Sequence, residues 1–216
     1  MTRKKNRSNL EAARSRMYHE LVFECAERLF AEQGFDESSM RDIAAEAGIS
    51  LRTLYSAYPG KQDIFVDILR TRGSEFTQRV RESVGPDGDV LDRLRSGVGA
   101  CTEFLLEHPH FFQIQLRVGR GWGIDPSDAA RSEDWGEGMG FTAELVREGM
   151  AAGVFYEGDP DLAAASMSAL LQAQLAGRMT RQGEDSAQAI SDAIFTQICR
   201  FLCRPDSDVY PDLQVA

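Results

Sequence analysis

Residues 38–61, with the sequence SSMRDIAAEAGISLRTLYSAYPGK, contain two short helix patterns on either side of one glycine. Ser39 is a potential N-cap for the first helix, and Asp42, three residues later, can complete a capping box. Gly48 tolerates the left-handed backbone that ends a helix, and Ser50 can cap the second helix immediately afterwards. Two helices joined by such a tight glycine turn predict a helix-turn-helix, which leaves the second helix free to enter the major groove of DNA.

The second helix of this hairpin has two chemically different sides. Apolar and aromatic residues recur at helical spacing along one side, which is therefore expected to pack on neighbouring helices. The residues of that side are Leu51, Leu54, Tyr55 and Tyr58. The opposite side carries Arg52, Thr53, Ser56 and Ala57. Small and hydrogen-bonding groups beside one arginine suit contacts with base edges in a groove about 12 Å wide. Without its flanks, the same pattern also fits an ordinary helical hairpin with a solvated face.

Helical patterns continue on both sides of the hairpin. Before it, apolar residues recur at helical spacing from Tyr18 to Phe30 and stop at Gly34, and after Lys61 a new apolar run begins. In both order and spacing, residues 26–65 (AERLFAEQGFDESSMRDIAAEAGISLRTLYSAYPGKQDIF) resemble the TetR family of bacterial regulators. The rest of the chain resembles that family only in its general helical layout.

The resemblance implies which side chains contact DNA. The residues at the family's phosphate-contacting positions are Ser39, Arg41, Tyr55 and Lys61. The residues at positions that contact bases or the groove are Arg52, Thr53 and Ser56, and Ser50 completes the predicted set within the hairpin. Two positions depart from the family pattern, because many members have a basic residue in place of Leu51 and a histidine or tyrosine in place of Ala57. Two contacts that family members customarily make with the DNA backbone are therefore in doubt. The affinity for DNA is then expected to depend more on an N-terminal arm.

That arm is residues 1–16, MTRKKNRSNLEAARSR, in which six basic side chains and one acid give a net charge of +5. We predict a flexible arm that binds DNA phosphates, chiefly through Arg3, Lys4, Lys5 and Arg7. The alternative for an isolated basic terminus is a solvated tail that only aids solubility. The pattern is not that of a signal peptide, because polar residues return at residues 18–20 with no apolar segment before them.

The formal charge of −10 is unevenly distributed along the chain. Residues 1–62 have a net charge of +1, which leaves −11 for residues 63–216. The acidic part should be repelled by DNA and should orient the basic part toward it. No apolar run approaches the ~20 residues of a membrane span, so no membrane partner is predicted. Four scattered cysteines, three of them in apolar helical patterns, fit a reducing cytoplasm.

Beyond residue 62 the pattern is helical throughout, with helix boundaries predicted at Gly85, His108, Gly153 and Asp159. The expected fold is all-α with about nine helices. A three-helix DNA-binding domain should occupy residues 17–62, and a helical effector-binding and dimerisation domain residues 63–216. The resemblance implies a homodimer in which the last two helices pair with their copies as a four-helix bundle. The predicted interface residues are Leu170, Ala173, Ile190, Ile194, Ile198 and Phe201. The alternative is that these apolar residues form the core within one chain.

Residues 119–140 contain six glycines and the only two tryptophans of the chain. A phosphate-binding loop is excluded, because no strand precedes the glycines and no Gly-Lys-Ser/Thr follows them. Two interpretations stay open, a mobile loop and the wall of a small-molecule pocket. The predicted lining of that pocket is Phe111, Gln115, Trp122, Trp135 and Met139.

The leading hypothesis is a transcriptional regulator that binds double-stranded DNA at a palindromic operator as a homodimer. We predict that the regulator is a repressor and that an unidentified small-molecule effector releases it from the operator. No cofactor, metal or catalytic residue is predicted. A sequence-indifferent architectural protein is disfavoured, because residues 1–62 are too weakly basic overall.

The alternative from another class is a helical metal-binding protein or enzyme that uses His108 and His110. These residues straddle a helix junction, and the third and fourth ligands of a metal site are missing from the pattern. Cys199 and Cys203 share a helix face and could bind a metal or sense oxidants. No histidine lies near them in sequence, so core or surface thiols are the simpler interpretation.

Overall fold

A computed structural model describes the backbone of residues 2–117, 133–181 and 185–205, and the side chains of residues 13–117, 138–179 and 185–205. Within these residues the chain forms nine α-helices, which confirms the predicted all-α fold. They are α1 (Thr2–Glu32), α2 (Met40–Glu46), α3 (Leu51–Ala57), α4 (Lys61–Val84), α5 (Val90–Glu107), α6 (Pro109–Arg117), α7 (Glu133–Ala151), α8 (Pro160–Arg181) and α9 (Ala187–Leu202). None of the helices in these ranges combines the length and apolar character that crossing a membrane requires.

Contacts between residues divide the chain into two units. One unit contains Met1–Arg72 and His110–Val118, and the other contains Gly73–Pro109 and Gly119–Ala216. This division differs from the predicted boundary at residues 62 and 63, because the first part of α4 and most of α6 belong with the helix-turn-helix. The physical reason is burial, since Ile64 and Ile114 lie in the same apolar core as residues of α1, α2 and α3.

The predicted flexible arm is wrong in its conformation, because residues 2–16 form the first half of α1. The segment contains two alanines and four arginines, which favour helix, and has no glycine or proline to interrupt it. Farther along, the guanidinium of Arg14 donates to the hydroxyl of Tyr18 at 3.0 Å. The side chains of Arg3, Lys4, Lys5 and Arg7 lie outside the described set, so their contact with DNA stays a prediction.

The second unit has α9 packed mainly against α5, with α7 and α8 beside them. This packing corrects half of the predicted dimer interface. Ile190, Ile194 and Ile198 are at most 6% exposed within the single chain, so they form its core and have no surface left for a partner. Ala173 and Phe201 are exposed and Leu170 is half-buried, so their place in an interface stays a prediction.

The segment after α7 is tied to the end of α9. The N–H of Tyr156 donates to the carbonyl of Leu202 at 2.9 Å, and an isolated bridge pairs Phe155 with Cys203. The ring of Phe155 is 1% exposed and lies directly on Gly149 of α7, where a Cβ atom would come within 2.1 Å of it. The turn therefore depends on a glycine at that helical position.

Cys199 and Cys203 lie in this buried region and are fully inaccessible to solvent. A hydrogen bond between the two thiols and burial raise the pKa of Cys199, while the same bond lowers the pKa of Cys203. Nowhere in the described ranges do three or more His, Cys, Asp or Glu side chains come together as a potential metal site. The two thiols are therefore part of the core packing.

Candidate nucleic-acid interface

The helices α2 and α3 have seven residues each, fewer than the ~12–15 that an isolated helix needs in water, so caps and packing must hold them. The predicted capping box is present, because Ser39 Oγ accepts from the N–H of Asp42 at 3.2 Å and the Asp42 carboxylate accepts from the N–H of Ser39 at 2.9 Å. Ser50 Oγ accepts from the N–H of Thr53 at 3.1 Å. Gly48 makes the turn with a φ of +62°.

The buried side of α3 is narrower than predicted. Leu54 and Tyr58 are 0% and 3% exposed, and Ala57 packs against the same core. The predicted burial of Leu51 and Tyr55 is wrong, because they are 36% and 54% exposed. The buried side of α3 thus consists of Leu54, Tyr58 and Ala57, and the helix contacts both α1 and α2. Two large side chains are therefore left on the outer surface.

These side chains help to line an open groove between α2, α3 and the start of α4. Its lining residues are Ser38, Ser39, Met40, Arg41, Leu51, Tyr55 and Lys61. The structure thus brings together all four residues predicted to contact phosphates. Of the predicted base contacts, Arg52 and Ser56 are exposed on α3 and Thr53 is half-buried.

Ion pairing separates the arginines into two groups. In this unit, those held by a carboxylate are Arg28, Arg70 and Arg72. Across the whole set of described side chains, the arginines whose guanidinium groups make no hydrogen bond or ion pair are Arg16, Arg41 and Arg52, and all three are exposed. A cation without an internal partner is available to an external anion or base. The free arginines of α2 and α3 are the two that were predicted to contact DNA.

Lys61 contributes to the interface in a way that was not predicted. Its amino group donates to the carbonyls of Phe35 at 2.6 Å and Ser38 at 2.9 Å, and lies 4.2 Å from the centre of the Phe35 ring. The lysine therefore ties the start of α4 to the turn that carries Ser39. A phosphate contact by Lys61 stays a prediction, and its observed role is to position this turn.

A polar network behind α3 has no counterpart in the sequence predictions. The hydroxyl of Tyr58 donates to the Asp67 carboxylate at 2.7 Å and lies 2.9 Å from His19 Nδ1. Burial and the hydrogen bond to Asp67 raise the pKa of Tyr58, so the phenol stays protonated as a donor. The network joins α1, α3 and α4. The sequence does contain one sign of this network, which is the position of Tyr58 on the apolar side of α3. A tyrosine hydroxyl that becomes buried there requires a hydrogen-bond partner.

A buried ion pair holds α1 against α4 in the same unit. The guanidinium of Arg72 donates to both carboxylate oxygens of Glu27, at 3.1 and 3.0 Å, and Glu27 is only 6% exposed. At the last residue of α1, Arg117 of α6 donates to the carbonyl of Glu32 at 2.7 Å. These contacts fix the helices that support α2 and α3.

The predicted effector pocket is only partly within the described side chains. Phe111 is 1% exposed and Gln115 is half-buried in the first unit, whereas Met139 is half-buried in the second. The side chains of Trp122 and Trp135 lie outside the described residues. A shared wall made by these five residues therefore stays a prediction.

The histidines proposed for metal binding or catalysis have ordinary structural surroundings. The residue His108 caps the C-terminal end of α5, and its ring lies against Phe104 with 4.4 Å between ring centres. His110 is half-buried in the first turn of α6. Aromatic packing accounts for the position of His108.

Comparisons with known proteins agree with this geometry. Residues 22–68 match the family model described as bacterial regulatory proteins, tetR family. The HTH-type transcriptional repressor KstR2 of Mycobacterium tuberculosis is 33% identical over 89 residues, which cover 41% of this chain and 44% of KstR2. The HTH-type transcriptional activator FasR of Mycolicibacterium smegmatis is 29% identical over 83 residues, 38% of this chain and 37% of FasR. The chain thus spans less than half the length of these curated relatives.

Solved structures extend the likeness in fold to most of the chain. The structure of KstR2 has a TM-score of 0.73 at 20% identity and covers 86% of this chain and 95% of its own. A regulatory protein from Rhodococcus RHA1 has a TM-score of 0.76 at 19% identity, with 87% and 98% covered. The similarity therefore includes the arrangement of the C-terminal helices as well as the helix-turn-helix.

Proposed function

We propose that the chain is a member of the TetR family of bacterial regulatory proteins, whose model matches residues 22–68, and that it is a sequence-specific DNA-binding transcriptional regulator whose α2–α3 surface docks on duplex DNA. The observation that carries the proposal is the pair of exposed arginines, Arg41 and Arg52, whose guanidinium groups have no hydrogen-bond or ion-pair partner among the described residues. They lie on two capped helices that share one open groove. Membership in a family of regulators also supports the prediction that the protein is not an enzyme.

In this proposal α3 enters the major groove and its outward side chains contact base edges. Arg52 has donors only, which suits the O6 and N7 acceptors of guanine. The hydroxyl of Ser56 donates to the carbonyl of Arg52 at 2.8 Å, so its oxygen remains an acceptor for a base amino group. Arg41, at the start of α2, and Ser39 face phosphates in this arrangement.

The finer parts of the proposal concern assembly and regulation. A two-fold dimer that uses the accessible residues Leu170, Ala173 and Phe201 would present two recognition helices to a palindromic operator. We propose that a small effector bound by the second unit lowers the affinity for the operator, as in a repressor. Its effect must be reciprocal, because the operator then lowers the affinity for the effector by the same factor.

Selection of binding sites from random-sequence duplex DNA, followed by sequencing of the bound pool, tests the proposed function. The expected result is a palindrome with half-sites about 10 base pairs apart or a multiple of that spacing. Binding that ignores sequence would support an architectural protein instead. Absence of binding at low salt would contradict the proposal.

Substitution Arg52→Ala is expected to lower affinity for the selected operator by ~1 to 3 kcal/mol per half-site and to relax base preference at one position of each half-site. The loss follows from removing the donors that face a base edge. A fluorescence-anisotropy titration at fixed salt measures it. Arg147→Ala is the matched control, since Arg147 is exposed on α7 and paired with Glu144. Wild-type affinity and specificity in the Arg52 variant would show that α3 docks differently.

Deletion of residues 2–8 removes Arg3, Lys4, Lys5 and Arg7. If all four neutralise phosphates, the slope of log affinity against log salt should become shallower by ~3 to 4 for each subunit of the bound dimer. Titrations across a series of salt concentrations measure the slope, and circular dichroism checks that the remaining helices are retained. An unchanged slope would mean that the start of α1 does not touch DNA.

A further inference from the structure

A large apolar side chain lies on the surface that is proposed to face DNA. Leu51, the first residue of α3, is 36% exposed, and Tyr55, one turn later, is 54% exposed. Single exposed leucines are common on proteins, so exposure alone carries no function. The position of Leu51 is informative, because it immediately precedes the free Arg52 and lines the same groove as Arg41.

Packing of α3 does not account for Leu51. Burial of this helix depends on Leu54 and Tyr58, and Ala57 packs against the apolar core of the unit, whereas Leu51 does not. The cap of the helix is the hydroxyl of Ser50, which bonds to Thr53 and does not involve the Leu51 side chain. The leucine is therefore free to serve recognition without a conflicting role in the fold.

The floor of the major groove presents one prominent apolar group. Among the four standard bases, thymine alone carries a methyl group at C5, and protein recognition of that methyl uses apolar side chains. Methylated cytosine presents the same group at the same ring position. An apolar side chain on a helix placed in the groove matches this feature, whereas it cannot accept or donate a hydrogen bond to a base edge.

We propose that Leu51 reads a pyrimidine C5 methyl group in each half-site. This proposal rests on the proposed DNA-binding function and adds a specificity-determining residue to it. Successive residues of a helix point about 100° apart, so Leu51 and Arg52 contact different base pairs. The expected recognition element is a methyl-bearing pyrimidine near a guanine, read by Leu51 and Arg52 respectively.

The test removes the methyl group from the DNA and the side chain from the protein in a double-mutant cycle. In the selected operator, each thymine of the half-site is replaced in turn by deoxyuridine, which lacks only the methyl. At one position, wild-type protein should bind about fourfold more weakly per half-site, as expected for one buried apolar carbon. Leu51→Ala should bind the thymine operator about as weakly as wild-type protein binds the uracil operator. Its affinity should not change when uracil replaces thymine at that position.

Two further variants isolate the leucine. Leu51→Gln keeps a side chain of similar length and should also lose the response to the methyl group. Leu162→Ala, at a position 66% exposed on α8, should keep the wild-type response. Because Leu51 is exposed and alanine favours helix, the alanine variant should fold, which circular dichroism checks.

The source of the methyl group is distinguished by comparing operators with cytosine or 5-methylcytosine at the same position. A loss with uracil together with a gain with 5-methylcytosine supports recognition of the methyl group itself, and a loss with uracil alone assigns the contact to thymine. If neither change affects wild-type binding, or if Leu51→Ala responds like wild type, the proposal is overturned. The DNA-binding function would survive that outcome, whereas failure to select any sequence would remove both.

Discussion

Replacing Arg72 with methionine is expected to lower the free energy of unfolding by about 3 to 5 kcal/mol. The substitution leaves the Glu27 carboxylate, in a side chain 8% exposed, without the guanidinium that binds both of its oxygens. Methionine keeps most of the apolar length of arginine, so the loss reports mainly the unpaired charge. Urea unfolding followed by circular dichroism at neutral pH measures the change.

Two control variants separate charge from packing in this experiment. The double variant Glu27→Leu with Arg72→Met should recover most of the stability, because a well-packed apolar pair often replaces a buried ion pair at little cost. Arg70→Met removes an exposed arginine from its pair with Asp67, which keeps its hydrogen bond from Tyr58, and should cost less than ~1 kcal/mol. A double variant as unstable as Arg72→Met alone would assign the loss to packing.

Substitution Gly149→Ala is expected to destabilise the second unit by ~1 to 3 kcal/mol or more. The added methyl would lie 2.1 Å from the Phe155 ring, which is buried and cannot move without disturbing the end of α9. Gly140→Ala is the matched control on the same helix, because nothing lies within 4 Å of its Cβ position. That variant should be neutral or slightly stabilising, since alanine favours helix over glycine by up to ~1 kcal/mol.

A double-mutant cycle with Phe155→Ala tests whether contact with the Phe155 ring causes the loss of stability in Gly149→Ala. Removing the ring should itself cost ~3 to 5 kcal/mol, but it also makes room for a methyl group at position 149. In that background, Gly149→Ala should be neutral or stabilising by thermal or urea unfolding. Equal losses in both backgrounds would show that the contact with Phe155 is not the reason for the glycine.

The local features of this fold could be predicted from sequence, because their causes are local. The serine caps at Ser39 and Ser50 and the left-handed turn at Gly48 each depend on residues within a few positions. The same holds for the ends of the helices, where Asp159 accepts hydrogen bonds from the first turn of α8. Short-range hydrogen bonds and backbone preferences determine these caps and turns, although the two short helices also need packing to form.

The features that were missed depend on contacts between residues distant in the chain. The isoleucines of α9 have the same spacing whether they pack on α5 or on a partner, so Ile194 could not be assigned from its periodicity. Ile114 joins the core of the DNA-binding unit from far along the chain. The amino group of Lys61 reaches carbonyls 23 and 26 residues away, and no local pattern reveals them.

The layout of α3 has a consequence for how new operators can be recognised. Its structural requirements are met by Ser50, Leu54 and Tyr58, whose cap and burial form the helix and attach it to the core. The exposed positions 51, 52, 55 and 56 contribute little to that attachment. Surface substitutions away from such features usually change stability by no more than ~0.5 kcal/mol. A library randomised at those four positions should therefore consist mostly of folded proteins, from which regulators with altered target sequences can be selected without compensating mutations elsewhere.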